Sequence, residues 1–182
     1  MTGLVSASAV LVLTAGVVTD AVGGQLLAGD AGRTFATVST DSRALASRDA
    51  REGALFIAHR DTEGMMKAHY NLEIKRRMGY FKQMKYDPAE VKMVLPDLVY
   101  DSKLVITLGG RTIELIYMGP GQNPGDTLVL FPKEKVIFTG GPFSKNSWAN
   151  PSFTPSMSNW VAMLRKIASM DIDKFLGGHG TS

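Results

Sequence analysis

The chain has 182 residues, 45% hydrophobic and 20% charged, with a formal net charge of +3 and no cysteine. That length is enough for one domain with its own core, and the composition excludes collagenous, low-complexity and disordered classes. The lack of cysteine excludes disulfides, thiolate zinc sites and cysteine nucleophiles together.

No charged residue occurs from Leu4 to Val18, and the first basic residue is Arg33. A secretory leader needs positive charge before its apolar run, and none is found here. A membrane span needs about 20 apolar residues; this run is shorter and is interrupted by Ser6, Ser8 and Thr14. The expectation is a soluble, cytoplasmic protein, not held in a membrane, in which Ala9–Leu13 is a buried strand. Gly23-Gly24 opens a short helical stretch, Gln25–Ala28, and Thr34–Val38 reads as a strand from its β-branched content. Thr40 or Asp41 is placed to cap a helix over Ser42–Arg51.

From Gly53 to Met84 the pattern is helical. Met65, Met66, His69, Leu72, Arg76 and Gly79/Tyr80 recur at three- and four-residue spacing. Within residues 67–85, Lys67, Lys75, Arg76, Arg77, Lys82 and Lys85 stand against Glu73 alone, with Tyr70, Tyr80 and Phe81 interleaved and Tyr86 following. Such a stretch can track a nucleic-acid backbone, but a helix with solvated Lys and Arg and inward aromatics is the commoner pattern. The expectation is therefore no nucleic-acid partner. His59 and His69 read as surface or helix-packing residues. His59, Asp61 and Glu63 are too closely spaced to point one way on a single helix. Asp87-Pro88 ends the region, and Val91–Leu95 precedes Pro96.

The second half is patterned for strands. Lys103–Leu108 and Arg111–Met118 flank Gly109-Gly110 as a hairpin. Ile113, Leu115 and Tyr117 alternate with Thr112, Glu114 and Ile116. After the Gly- and Pro-rich segment Gly119–Asp126 come Thr127–Phe131 and Lys135–Thr139, paired around Pro132-Lys133-Glu134. A long loop, Gly140–Pro155, leads to a helix capped by Ser156 or Ser158, and Lys174–Leu176 runs into Gly177-Gly178-His179-Gly180. No internal repeat or linker divides the chain.

Four segments, in order, resemble the metallo-β-lactamase superfamily. They are TAGVVTDAVGG (Thr14–Gly24), GPGQNPGD (Gly119–Asp126), VIFTGG (Val136–Gly141) and FLGGHG (Phe175–Gly180). The family writes these as His-x-His-x-Asp-His-x-Gly-Gly, Gly-His-Thr-Pro-Gly-Asp, a strand ending in Thr-Gly-Asp, and a Gly-His-Gly loop. The resemblance implies an α+β fold, an αββα sandwich with strand ends that deliver metal ligands to one edge. It also implies one domain over 1–182, short of strands on its N-terminal side, with a helical insertion or lid at 53–86. A homodimer partner would cover the missing sheet surface, unless the chain is a piece of a longer protein.

Zinc takes about four ligands plus an open water position, and lowers that water's pKa to about 7. Carried over residue by residue, the first signature's histidines fall on Gly16, Val18 and Ala21, and its aspartate on Asp20. The second segment's histidine falls on Gln122 and the third's aspartate on Gly141, while His179 is retained. Two of seven positions survive, so no metal ligand is assigned and no cofactor is expected, with zinc the one to look for if the site persists.

Asp20 and His179 are then the candidate acid–base pair. Gln122, Asn123, Phe143, Asn146, Trp148 and Phe153 are the candidate substrate-binding residues, because pockets combine aromatic walls with a few polar groups. Asp126 reads as a turn residue whose carboxylate satisfies backbone N–H groups. The expected function is a metal-independent or weakly metal-dependent enzyme of hydrolase ancestry acting on a small organic molecule. Two alternatives stand beside it: a non-catalytic ligand- or partner-binding pseudoenzyme, and an ester, lactone or thioester hydrolase that retains one metal.

Overall fold

A computed structural model of the protein describes residues 10–14, 17–20, 25–28, 34–38, 55–84, 95–108, 110–145, 151 and 154–180. The first sheet takes β1 (Val10–Thr14), β2 (Val17–Asp20), β3 (Gln25–Ala28), β4 (Thr34–Val38), β5 (Leu55–His59) and β6 (Leu98–Tyr100), in the order β3-β2-β1-β4-β5-β6. The second takes β7 (Lys103–Leu108), β8 (Arg111–Tyr117), β9 (Thr127–Phe131), β10 (Val136–Lys145) and β11 (Lys174–Gly180), in the order β11-β10-β9-β8-β7. The helices are α1 (Arg60–Met84) and α2 (Met157–Ala168).

Two stretches expected to be helical are strands. Gln25–Ala28 pairs antiparallel with β2. Leu55–His59 pairs in parallel with β4 on one side and β6 on the other. A short apolar run has no periodicity that separates helix from buried strand. Neighbours on both sides decide it here, and a central parallel strand reads as a continuous apolar run. Parallel strands also need a crossover, and α1 lies on the connection from β5 to β6. Two strands run further than expected: β10 continues to Lys145, and β11 carries Gly177–Gly180 alongside it in parallel. The helix expected over 42–51 lies outside the described residues.

The main core lies between the sheets. Ile57 and Tyr100 from the first meet Ile113, Leu115, Val129, Phe131, Val136 and Phe138 from the second. The alternate side chains of the second sheet, Leu128, Leu130 and Ile137, pack outward on Met163 and Ile167 of α2. β9 is therefore buried on both faces along its whole length, which period-2 alternation with two apolar faces requires. Ser156 caps α2, its Oγ accepting Asn159 N–H at 3.2 Å.

Candidate functional site

β5 ends on His59 and Arg60 starts α1, so His59 stands at the helix N-cap. Its Nδ1 accepts the Asp61 N–H at 3.1 Å, the bond an N-cap side chain ordinarily makes with the second helical residue. Nε2 lies 2.7 Å from the Asp101 carbonyl oxygen, to which it donates. A neutral imidazole has one donor and one acceptor, and both are engaged, which assigns the tautomer. Asp61 and Glu63 fill the first turn of α1, where the helix dipole favours negative charge.

The His59 ring is 3% exposed. It stacks on Tyr117 with centroids 3.7 Å apart and planes 21° apart, and meets Tyr100 edge-on at 5.6 Å. Tyr117 is the last residue of β8, and its hydroxyl lies 3.3 Å from Asp61 Oδ2 and 3.0 Å from the Pro124 carbonyl oxygen. Burial first, then the charge and hydrogen bond of Asp61, push the Tyr117 phenol up to about 12. The phenol is therefore a donor throughout the neutral range. Asp61 itself keeps 51% of its side chain in solvent and approaches His59 Nδ1 at 3.7 Å.

Close approach binds the Gly119–Asp126 segment to this junction. Thr62 Oγ1 donates to the Gly125 carbonyl oxygen at 3.0 Å. A side chain at Gly125 would meet the Thr62 hydroxyl and come within 2.5 Å of the Thr62 backbone nitrogen, so only glycine fits. Asp126 is fully buried and accepts the Asn123 N–H at 3.1 Å, the turn role expected of it. Tyr100 Oη donates to Thr127 Oγ1 at 2.7 Å. Gln122 faces Gly141: a side chain built on Gly141 would run into the Gln122 Oε1 and lie 3.1 Å from its Cδ.

Asp61 thus offers a solvent-reaching proton acceptor at a strand–helix junction, beside a protonated phenol whose one O–H is shared between it and the nearer Pro124 carbonyl. The reading of His59 as a helix-surface or helix-packing residue is corrected. It belongs to β5, and for that reason it and Asp61 converge where a single helix would have splayed them apart.

Of the residues expected at the site, Gln122 and the buried Asn123 lie in the segment that meets the junction. Phe143 is exposed on the α2 side, its ring 6.4 Å from Phe175 at an open apolar cavity of about 350 Å³ that Leu164, Ile167 and Ala168 also line. Asp20 is on β2, with β1 and β4 between it and β5, and His179 is on β11 opposite Ser144. The two strands belong to different sheets, and their side chains are outside the described set, as are Asn146, Trp148 and Phe153 altogether.

No family model matches the chain. A metallo-β-lactamase family protein from Thermus thermophilus superposes with a TM-score of 0.56 at 13% identity, over 85% of this chain and 67% of that one. The chain has the metallo-β-lactamase fold. A metallo-β-lactamase from Pontibacter korlensis aligns at a TM-score of 0.46 and 13% identity, over 81% of this chain and 75% of that one. In sequence, the chain is 28% identical over 79 residues to the 2,4-dinitroanisole O-demethylase subunit alpha of a Nocardioides species. That match takes 42% of this chain and spans 24% of the length of the curated relative.

The segment that enters a helix and meets the Pro124-Gly125-Asp126 turn in this chain is Ile57–Met65. The family's first signature laid here puts a histidine on His59, the aspartate on Asp61 and the first glycine on Gly64. Of Thr14–Gly24, Thr14 ends β1 and Val17–Asp20 forms the neighbouring antiparallel strand β2.

Zinc is what this fold ordinarily holds, and the described donors do not fit a zinc pair. Among the described residues no three His, Asp or Glu side chains gather. Both His59 nitrogens already bond the protein, and the Gln122 amide fills the room beside Gly141. A bound His ligand needs one nitrogen free for the metal while the other is held in place.

Proposed function

We propose that the protein is a metallo-β-lactamase-fold enzyme that hydrolyses a small organic molecule at the β5–α1 junction with its own acid–base groups. The observation that carries this is the Asp61 carboxylate, open to solvent yet held 3.3 Å from the Tyr117 hydroxyl. Asp61 takes a proton from water as the water oxygen bonds the electrophilic carbon. The bond to the leaving group then breaks, and the departing oxygen or sulfur recovers that proton from the carboxyl. Tyr117 positions Asp61; Gln122 is the neighbouring group for substrate polar atoms. His179, on β11, and Asp20 remain further acid–base candidates of this reading.

Esters, lactones and thioesters are the substrate classes that the ancestry of the fold suggests. The name of the curated relative adds activated aryl methyl ethers. Turnover of such a panel, measured with and without chelator for the parent chain and Asp61→Asn, tests the reading. General acid–base groups contribute roughly 100-fold or more, so Asp61→Asn should lower chelator-resistant turnover by about that factor. Unchanged turnover in the variant removes Asp61 from the chemistry. Turnover abolished by chelator and restored by zinc favours a one-metal hydrolase instead.

A further inference from the structure

We infer that Gln122 and Gly141 form one steric unit that closes a metal position, so that the amide of one stands in for the missing carboxylate of the other. The inference concerns the shape of this site and stands apart from the identity of the catalytic base.

Two side chains that ligate one ion must converge on it. The resemblance puts a histidine at 122 and an aspartate at 141, and the convergence survives although both donors are gone. A side chain at 141 would meet the Gln122 oxygen, then Cδ at 3.1 Å and Cβ at 3.8 Å. The three nearest atoms that a side chain at 141 would meet, its chain neighbours aside, all belong to this one side chain. By contrast, Gly125 is hemmed in by the Thr62 backbone, which cannot rotate away.

The contrast has a chemical consequence. The colliding atom at 141 is the end of a flexible amide, so any side chain there displaces Gln122, and an amide is a neutral, poor zinc donor. A carboxylate restored at 141 alone would therefore compete with Gln122 for the same volume. A metal entering beside Gly141 would have to push the amide out first. Position 141 can thus carry a side chain only when that of Gln122 moves aside.

The test combines Gly141→Ala, Gln122→Ala and the double variant, each compared with the parent chain by melting temperature. The side-chain amide resonance of Gln122 is followed through a zinc titration of the parent. Gly141→Ala alone should lower the melting temperature by several degrees, and most of that loss should vanish when Gln122 is also alanine. Zinc at one or two equivalents should leave the Gln122 resonance unshifted. Equal losses in the two backgrounds would overturn the steric unit, and a saturable shift of the Gln122 resonance would overturn the closed metal position. Neither readout depends on turnover, so failure here is distinct from failure of the Asp61 reading.

Discussion

The imidazole of His59 lies flat on the phenol ring of Tyr117, 3.7 Å between centroids, and thereby joins the last residue of β5 to the last residue of β8. One ring couples both sheets, the start of α1 and the Asp101 turn, because its two nitrogens bond the Asp61 N–H and the Asp101 carbonyl.

Substitution at His59 separates capping from stacking. Asparagine keeps an acceptor for the helix N-terminus, whereas alanine does not, and loss of an N-cap acceptor costs about 1 kcal/mol. Both variants lose the stack, about 0.5–1.5 kcal/mol beyond area. His59→Ala should therefore unfold at lower urea than His59→Asn, by about 1 kcal/mol in free energy. Coincident midpoints would show that the Nδ1 bond contributes nothing.

Alkaline stability should report on Tyr117. Its folded pKa is raised from 10.0 to about 12, so between these values the unfolded chain gives up a proton that the folded chain keeps. Stability is then intact below pH 10 and falls as the pH climbs towards 12. Tyr100, more deeply buried, shifts the same way, burial outweighing its bond with Thr127. Tyr117→Phe should flatten part of this alkaline decline. Denaturant midpoints across the range, with tyrosinate absorbance followed in parallel, check it; an identical slope in the variant would contradict the shift.

Gly125→Ala is expected to be destabilising by roughly 1–3 kcal/mol, the usual cost of overpacking. The added methyl meets the Thr62 hydroxyl and backbone nitrogen. Because the obstruction is partly backbone, Thr62→Ala should not rescue it fully. Thermal melts of the two single variants and the double variant decide this: complete rescue would mean that the hydroxyl alone makes the contact.

Much of the second half was legible in the residues. The hairpin of β7 and β8 follows from two strand-like runs around Gly109-Gly110, and the outcome is an antiparallel register from Lys103–Ile116 to Leu108–Arg111. Ser156 caps α2 as its hydroxyl and position suggest. Asp126 satisfies a backbone N–H within its own turn. These features are local: alternation, turn residues and caps act over a few positions, so the order of residues is enough to specify them.

The candidate site was not legible in the same way. Leu55–His59 carries an apolar run that fits helix or strand, and only hydrogen bonds from β4 and β6 on either side make it a strand. Once it is a strand, His59 becomes a cap rather than a helix-surface residue, and its ring meets a tyrosine from the opposite sheet. Nothing in the spacing of His59 and Tyr117 announces that contact. The sequence by itself determined the β7–β8 hairpin, the strand β9, the Ser156 cap and the Asp126 turn. Tertiary structure alone decided that β5 is central, that Asp61 and Tyr117 share a hydrogen bond, and that Gln122 fills the space beside Gly141. Those are contacts between residues distant in the chain, and their energies exist only after the two sheets have closed on one core.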